Sequence, residues 1–230
     1  MGEGRELGAD VCSRGWVGVA IEAGATDVYF GRTIRELLAV AQADAEIGVV
    51  AIDIPIGLPD KSRRQADELA RQAAGPRWPS VFMTPVRAAL LADDHLSAVA
   101  VNRRMAGSGV SRQAYGLRTK IFEVDAWIQE RSHPVIEAHP EVCFAAMARS
   151  PLLTRKKTWA GAEQRRRLLD GAGIPLGREL GLAGEMAGVD DILDAAAAAW
   201  TAQRYAKGQA RCMPETPEIF SDGIRCAIWA

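Results

Sequence analysis

Apolar positions along the chain change period as it proceeds. In the first thirty residues they fall in short blocks: Leu7–Asp10, Trp16–Glu22 (WVGVAIE) and Asp27–Phe30. The turn sequences Cys-Ser-Arg-Gly and Glu-Ala-Gly-Ala separate them, so the pattern predicts three strands in a meander. Ile34, Leu37, Leu38 and Ala41 then recur at helical spacing, which predicts a helix over Thr33–Ala43 with Thr33 as its cap. Val49–Ile54 (VVAIDI) is a β-branched apolar run, as expected of a central strand covered on both faces. The breaker cluster Pro55-Ile56-Gly57-Leu58-Pro59 stops it.

From about residue 61 to 132 the pattern is helical and more charged, with helices predicted at Arg64–Ala73, Pro85–Leu91, His95–Met105 and Arg112–Glu130. A strand resumes at Val135–Ala138. Helices follow at Glu141–Arg149, Ala162–Ala172 and Asp191–Lys207, and Glu218–Phe220 with Arg225–Trp229 reads as a hairpin around Asp222-Gly223. A meander followed by crossovers makes a mixed sheet with helices on its faces. The expected architecture is therefore a single α/β domain over 1–230, built on a five-stranded mixed sheet flanked by helices. Residues 60–132 would form a helical insertion after the fourth strand.

Charge narrows the function classes. The 230 residues carry 28 Lys and Arg against 29 Asp and Glu, a net charge of −1, which excludes an acidic tail and a wholesale polycation. The apolar run Ala195 to Trp200 is six residues and no run exceeds seven, against the ~20 of a membrane span; no membrane partner is expected. The N-terminus lacks a signal layout, and Cys12, Cys143, Cys212 and Cys226 are far apart with no CxxC pair. Reduced thiols and a cytoplasmic location are the expectation. No GxxxxGK[ST], GxGxxG or GxSxG motif is present, so nucleotide-cofactor and serine-hydrolase chemistry fall away.

The acids on apolar segments stand out. Asp10 ends the first strand, where it is either a turn former or a ligand. Asp53 interrupts the most apolar strand, where a carboxylate must be ion-paired, hydrogen-bonded, metal-bound or at the open end of the sheet. Glu137 lies near the end of Val135–Ala138, as an edge residue or a site acid. Asp190, Asp191 and Asp194 open the alanine-rich helix. Asp190 as cap and Asp191 as dipole partner explain two of these acids without function. The spacing of Asp191 and Asp194, three apart on one face, is repulsive unless a cation intervenes.

Basic residues concentrate between Arg149 and Arg167, where seven (Arg149, Arg155, Lys156, Lys157, Arg165, Arg166, Arg167) stand against Glu163 alone, a local charge of +6. This is either a solvated face or a phosphate-contacting flank, in which case Lys156, Lys157 and Thr158 are the direct contacts. Arg64, Arg71, Arg77 and Arg87 form a second set, with Arg77 on a rigid Trp-Pro loop that can lie over a site. His139, beside Pro140 at a strand end, is either structural or a group that moves a proton or positions a phosphate.

Together, an Asp on the first strand, an acid on the fourth and D-x-x-D opening a late helix resemble the carboxylate layout of ribonuclease-H-like nucleases, particularly RuvC-type resolvases. The chain resembles most closely domain-of-unknown-function family 429, a family held to be ribonuclease-H-like nucleases. The resemblance is spread over most of the chain. Its first stretches are Gly8-Ala9-Asp10 with Gly15-Trp16-Val17, the run from Ala51 through Asp53 to Pro59, and Arg64-x-x-Asp67-x-x-x-Arg71. Ser80-Val-Phe-x-x-Pro85-x-Arg87, Ser111-x-Gln113 and Glu123-Val-Asp125 follow. Glu137-x-His-Pro-Glu141, Lys156-Lys-Thr-x-x-Gly161 and Asp191-x-x-Asp194-Ala195 complete the set. Val11 departs from the glycine usual after the first Asp, which bears on the turn and leaves the acid in place.

The resemblance implies a ribonuclease-H-like fold and a divalent-metal-dependent phosphodiester hydrolase. Asp10, Asp53 and Asp194 would ligate two Mg²⁺ or Mn²⁺ ions, and Glu137 and Asp191 would be further catalytic acids. Arg77, His139, Lys156, Lys157 and Thr158 would contact a short or structured nucleic acid. The alternatives are a binding or regulatory protein without catalysis on the same scaffold, and, more remotely, a phosphotransfer enzyme of the actin-like group.

Overall fold

The computed structural model describes residues 4–230, with a seven-stranded mixed sheet in the order β3-β2-β1-β4-β5-β7-β6. The strands are β1 (Arg5–Cys12), β2 (Gly15–Glu22), β3 (Ala25–Gly31), β4 (Ile47–Ile52), β5 (Val135–Ala138), β6 (Cys212–Ile219) and β7 (Arg225–Trp229). β1, β2 and β3 form the antiparallel meander, and β4 and β5 continue from β1 in parallel.

The five expected strands thus become seven. The C-terminal hairpin does not stand apart: β7 docks parallel to β5, with Glu137 opposite Ile228, and leaves β6 on the edge. The reason is apolar area: Cys226, Ala227 and Ile228 are buried and need a neighbour. β6 carries Pro214 and Pro217, which cannot donate to a ladder and suit an edge strand.

Between β4 and β5 run α2 (Gln65–Ala74), a 3₁₀ turn (Gly75–Ser80), α3 (Arg87–Leu90), α4 (His95–Ala106), α5 (Arg112–Gly116) and α6 (Arg118–Trp127). The single helix expected over Arg112–Glu130 is broken in two at Gly116 and Leu117. α1 (Ile34–Asp44) starts where the pattern places it, with Thr33 Oγ1 accepting the Glu36 N–H at 3.1 Å. After β5 come α7 (Pro140–Ala148), α8 (Trp159–Gly171), α9 (Gly181–Met186) and α10 (Val189–Ala206). Among the described residues no helix is long and apolar enough to cross a membrane.

The sheet has two buried faces, divided by strand alternation. Val19, Val49, Ala51, Ile136 and Ala138 pack towards α10, whereas Leu7, Ala9, Val50, Ile52 and Val135 pack with α1 and α6. α10 comes unusually close to β1 because Ala195–Ala199 meets it at Gly8. A Cβ on Gly8 would lie 2.0 Å from the Ala199 nitrogen and 2.1 Å from the Ala195 carbonyl oxygen, both backbone atoms with nowhere to turn. Gly8→Ala is therefore expected to lower the unfolding free energy by about 2 kcal/mol, by pushing α10 off the sheet. Urea denaturation of the variant checks this; wild-type stability would show that the helix can retreat without loss.

Candidate active site

Strand pairing brings the first two acids together. β1 and β4 are parallel with Ala9 opposite Ile52, so the next residues, Asp10 and Asp53, stand side by side. The Asp53 N–H donates to the Ala9 carbonyl at 3.0 Å, extending the ladder by one bond. The third acid arrives on α10. Asp194 immediately precedes the Ala195 carbonyl that faces Gly8, and Gly8 lies two residues before Asp10 on the same side of the sheet. The close approach of helix and strand thus carries Asp194 to the other two. All three line one cavity of about 550 Å³, together with His139, Glu141, Lys156, Lys157, Asp190 and Asp191.

Crowding and burial disfavour full ionisation of this group. Asp10, only 6% exposed, has its pKa raised well above the usual carboxylate range by burial first, then by Asp53 and Asp194. Burial likewise pushes Asp53 and Asp194 up to about 7, against the pull of the Lys156 ammonium. Burial also opposes the charge on Lys156, yet its contact with Asp194 and the fields of Asp10 and Asp53 raise its pKa above the ordinary lysine value. Lys156 Nζ donates to Asp194 Oδ2 and stands 3.7 Å from Asp190. Asp194 Oδ1, on a side chain 2% exposed, has no hydrogen-bond partner. Asp10 Oδ1 accepts the Val11 N–H at 2.7 Å.

Glu137, Arg64 and Asp67 line the same cavity, but Glu137 is engaged otherwise. It shares a rung with Ile52 and Ile228, so alternation turns it to the face opposite Asp10 and Asp53. There Arg64, fully buried, holds it with two bonds of 2.7 and 2.8 Å, and the Ile56 N–H adds a third at 2.7 Å. Arg64 also binds Asp67 through Nε at 3.0 Å and the Ile56 carbonyl at 3.1 Å, while Asp67 Oδ2 accepts the Thr84 N–H at 2.7 Å. Both Glu137 oxygens are therefore engaged. Burial still raises its pKa, and Arg64 opposes the rise. Arg64 belongs to this buried network rather than to a phosphate-binding set. Glu141, which the residue pattern did not single out, is clamped through both oxygens by the buried Arg165 at 2.9 and 2.8 Å.

Among the described residues no three His, Cys, Asp or Glu side chains form a ready metal-binding group; the cation in contact with Asp194 is Lys156. With this geometry in view, comparison with known proteins gives one match. The family described as protein of unknown function, DUF429, matches residues 8–219. The chain belongs to the DUF429 family. No curated protein and no solved structure matches it. The DUF429 match spans β1 from Gly8 onward, all of β4 and α10, and each acid that lines the cavity.

The remaining candidates of this DUF429 protein divide. Asp191 lines the cavity and accepts the Gly188 N–H at 3.2 Å at the start of α10, with its pKa raised by burial and then by Asp190. The helix begins at Val189, so Gly188 rather than Asp190 is its cap. Asp190 instead faces Lys156 and Lys157, the latter at 3.9 Å. His139 caps α7 and lines the cavity; its buried Nδ1 has no partner. Burial lowers its pKa, and Asp194 and Glu141 pull the other way.

Thr158 turns away from a phosphate-contacting role. Its hydroxyl caps α8, accepting the Gly161 N–H at 3.1 Å and donating to the Arg155 carbonyl at 2.8 Å. Arg77 lies beside the cavity, with Nε 3.9 Å from Glu141 Oε1, and is not among its lining residues. The +6 stretch is thinned rather than lost: Arg165 is buried on Glu141 and Lys156 is on Asp194, while Arg149, Arg155, Lys157, Arg166 and Arg167 stay exposed, Arg167 beside Glu163.

Proposed function

We propose that this protein is a divalent-metal-dependent phosphodiester hydrolase, a nuclease on a ribonuclease-H-like scaffold. One observation carries the reading: three carboxylates from three distant segments are driven into one cavity, and one of their buried oxygens, Asp194 Oδ1, is left without a partner. A buried unpaired carboxylate oxygen destabilises the fold unless something ligates it. Carboxylate oxygens are hard donors of the kind Mg²⁺ and Mn²⁺ take, although in this structure they are not drawn together into a ready metal-binding group. The order β3-β2-β1-β4-β5, a meander joined to parallel strands, supports the scaffold assignment.

Asp10, Asp53 and Asp194 would hold the metal, with Asp191 at the mouth. When bound, the cation supplies Lewis-acid activation of water and of the phosphoryl group. The chain's own groups do the rest. Lys156 and Lys157 stand at the mouth as donors to phosphate oxygens, and His139, whose Nδ1 has no partner and whose pKa burial lowers, is placed to take or return a proton. Arg64 and Arg165, buried on their carboxylates, hold the floor rigid so that the acids keep their positions. A cavity of about 550 Å³ accepts a nucleotide-sized portion of a substrate. The near-neutral net charge suits a short or structured nucleic acid rather than a long duplex.

A second reading rests on the Lys156–Asp194 contact: a lysine already neutralises part of the cluster, as a binding protein without catalysis would require. Thermal melts separate the two. The hydrolase reading expects wild type to gain stability in Mn²⁺ over EDTA, about 2.7 kcal/mol at a hundredfold excess over Kd. Asp194→Asn should lose most of that gain, and wild type alone should cleave a phosphodiester when the cation is present. A melt indifferent to Mn²⁺ would leave the binding reading.

A further inference from the structure

A second cavity opens within the sheet itself, where β5 and β7 part. Their ladder holds only two pairs, Glu137 with Ile228 and Ala138 with Trp229, although β5 begins at Val135 and β7 at Arg225. Ahead of those pairs the strands fork around a cavity of about 440 Å³. Consecutive residues Val135, Ile136 and Glu137 all line it, although alternation sends them to opposite faces of the sheet, so the cavity lies along the open edge of β5. It shares Glu137 with the cavity of acids and no other lining residue.

Hydrogen-bond donors are in surplus in this fork. The two carboxylates that line it are already engaged. Both Glu137 oxygens accept from Arg64. Asp222 accepts the Ile224 N–H through Oδ1, and the Leu58 N–H and Arg87 through Oδ2. Two guanidiniums remain. Arg131 gives one N–H to the Ile128 carbonyl, and the Arg225 side chain has neither hydrogen bond nor ion pair among the described residues. Beside them Tyr205 and Trp229 meet edge to face, with centroids 4.8 Å apart at 89°. In such a pair the ring that presents its edge keeps both of its faces clear of the other. The exposed Gln129 amide completes the polar lining.

We infer that this fork is a second binding site, for a phosphomonoester that carries a flat ring, of the kind a nucleoside monophosphate is. Arg131 and Arg225 supply charge-assisted bonds to the phosphate, for which planar guanidiniums are suited. The base lies on the aromatic pair, and the Gln129 amide, donor and acceptor at once, serves its edge. The cavity is within the roughly 300–1,000 Å³ of small-molecule sites. The carboxylates of the first cavity repel a phosphate in the absence of metal, whereas the fork offers it two cations. The site stands whether or not the first cavity hydrolyses phosphodiesters, because a monoester holds no such bond.

Calorimetric titration of the full chain with adenosine monophosphate, in EDTA, tests this. One molecule per wild-type chain is expected. Arg131 and Arg225 are exposed, so Arg131→Gln and Arg225→Gln leave the core untouched. Each should weaken binding about tenfold, the worth of one bond to a charged group. Ribose phosphate, which lacks the base, should also bind about tenfold more weakly. Lys157→Gln, at the mouth of the first cavity, should bind as wild type does. No binding at millimolar adenosine monophosphate would overturn the inference, as would equal affinity for ribose phosphate. Binding that survives both arginine variants and falls with Lys157→Gln would place the ligand in the first cavity and overturn it too. The hydrolase reading is judged separately, by the response to Mn²⁺.

Discussion

Replacing Arg64 by methionine is expected to lower the unfolding free energy by about 3–5 kcal/mol, the largest effect of any single substitution considered. Arg64 is fully buried, and its guanidinium is ion-paired to both Glu137 and Asp67 while it holds the Ile56 carbonyl. Methionine fills a similar volume, so lost packing is small. What remains is a pair of carboxylates, both nearly inaccessible to water, with no cation. Such groups either ionise at high cost or take up protons, and in both cases the native state loses.

The prediction has a rescue. Adding Glu137→Gln and Asp67→Asn to Arg64→Met removes the orphaned charges and should recover more than half of the loss. Urea denaturation of wild type, single and triple variants decides it. A phosphate-binding Arg64 would behave otherwise, with stability unchanged and ligand binding weakened. A stable Arg64→Met would therefore return this residue to the substrate-contacting set.

Asp53→Asn should make the metal-free protein more stable, increasingly so as pH rises from 5 to 8. The sign follows from the direction of the shift. The Asp53 pKa is raised from 3.8 to about 7 in the folded state, by burial first and despite Lys156. A carboxyl whose folded pKa lies above its unfolded value contributes stability below the unfolded pKa, and that contribution is lost as pH rises through the folded one. Between pH 5 and pH 8 the native wild type must give up a proton the unfolded chain has already released. The cost is on the order of 3 kcal/mol over that window.

Asparagine carries no proton to lose, so the stability difference between variant and wild type should widen by about that amount. His139, whose folded pKa is lowered, acts in the opposite sense below its ordinary value near 6.5, but it is common to both proteins and cancels in the comparison. Melts in EDTA at pH 5, 6.5 and 8 measure the difference. A salt-bridged Asp53 predicts the reverse, with Asp53→Asn costing stability at pH 8. That outcome would remove Asp53 from the carboxylate cluster.

The sequence alone determined most of the elements and singled out all three acids. Alternation in Trp16–Glu22, the helical spacing of Ile34, Leu37, Leu38 and Ala41, and the apolar run before Asp53 are local signals, and the strands and helix they predict are present. Asp53 was conspicuous because a charge in a doubly covered strand has few places to go. Asp194 followed from its position before five alanines, since small side chains let a helix lie close to a sheet. The hairpin's own turn was legible in Asp222-Gly223, but its attachment to β5 was not, because pairing between distant strands leaves no mark in either strand's local pattern.

Tertiary structure decided the rest, through register and partnering. Asp10, Asp53 and Glu137 look alike in sequence, each an acid near the end of an apolar strand. Only the parallel register, Ala9 with Ile52 and Ile52 with Glu137, shows that Glu137 falls on the opposite face and belongs to Arg64. A shift of one residue would reverse that outcome, and the apolar residues flanking Glu137 do not distinguish the faces because both are buried. The basic segment presents less than its summed charge for the same kind of reason. Charge summed along the chain ignores that Arg165 turns inward to Glu141 and Lys156 to Asp194, and that Thr158 serves its own helix. Composition fixes how many charges a segment carries; which of them remain free depends on what the fold sets opposite each one.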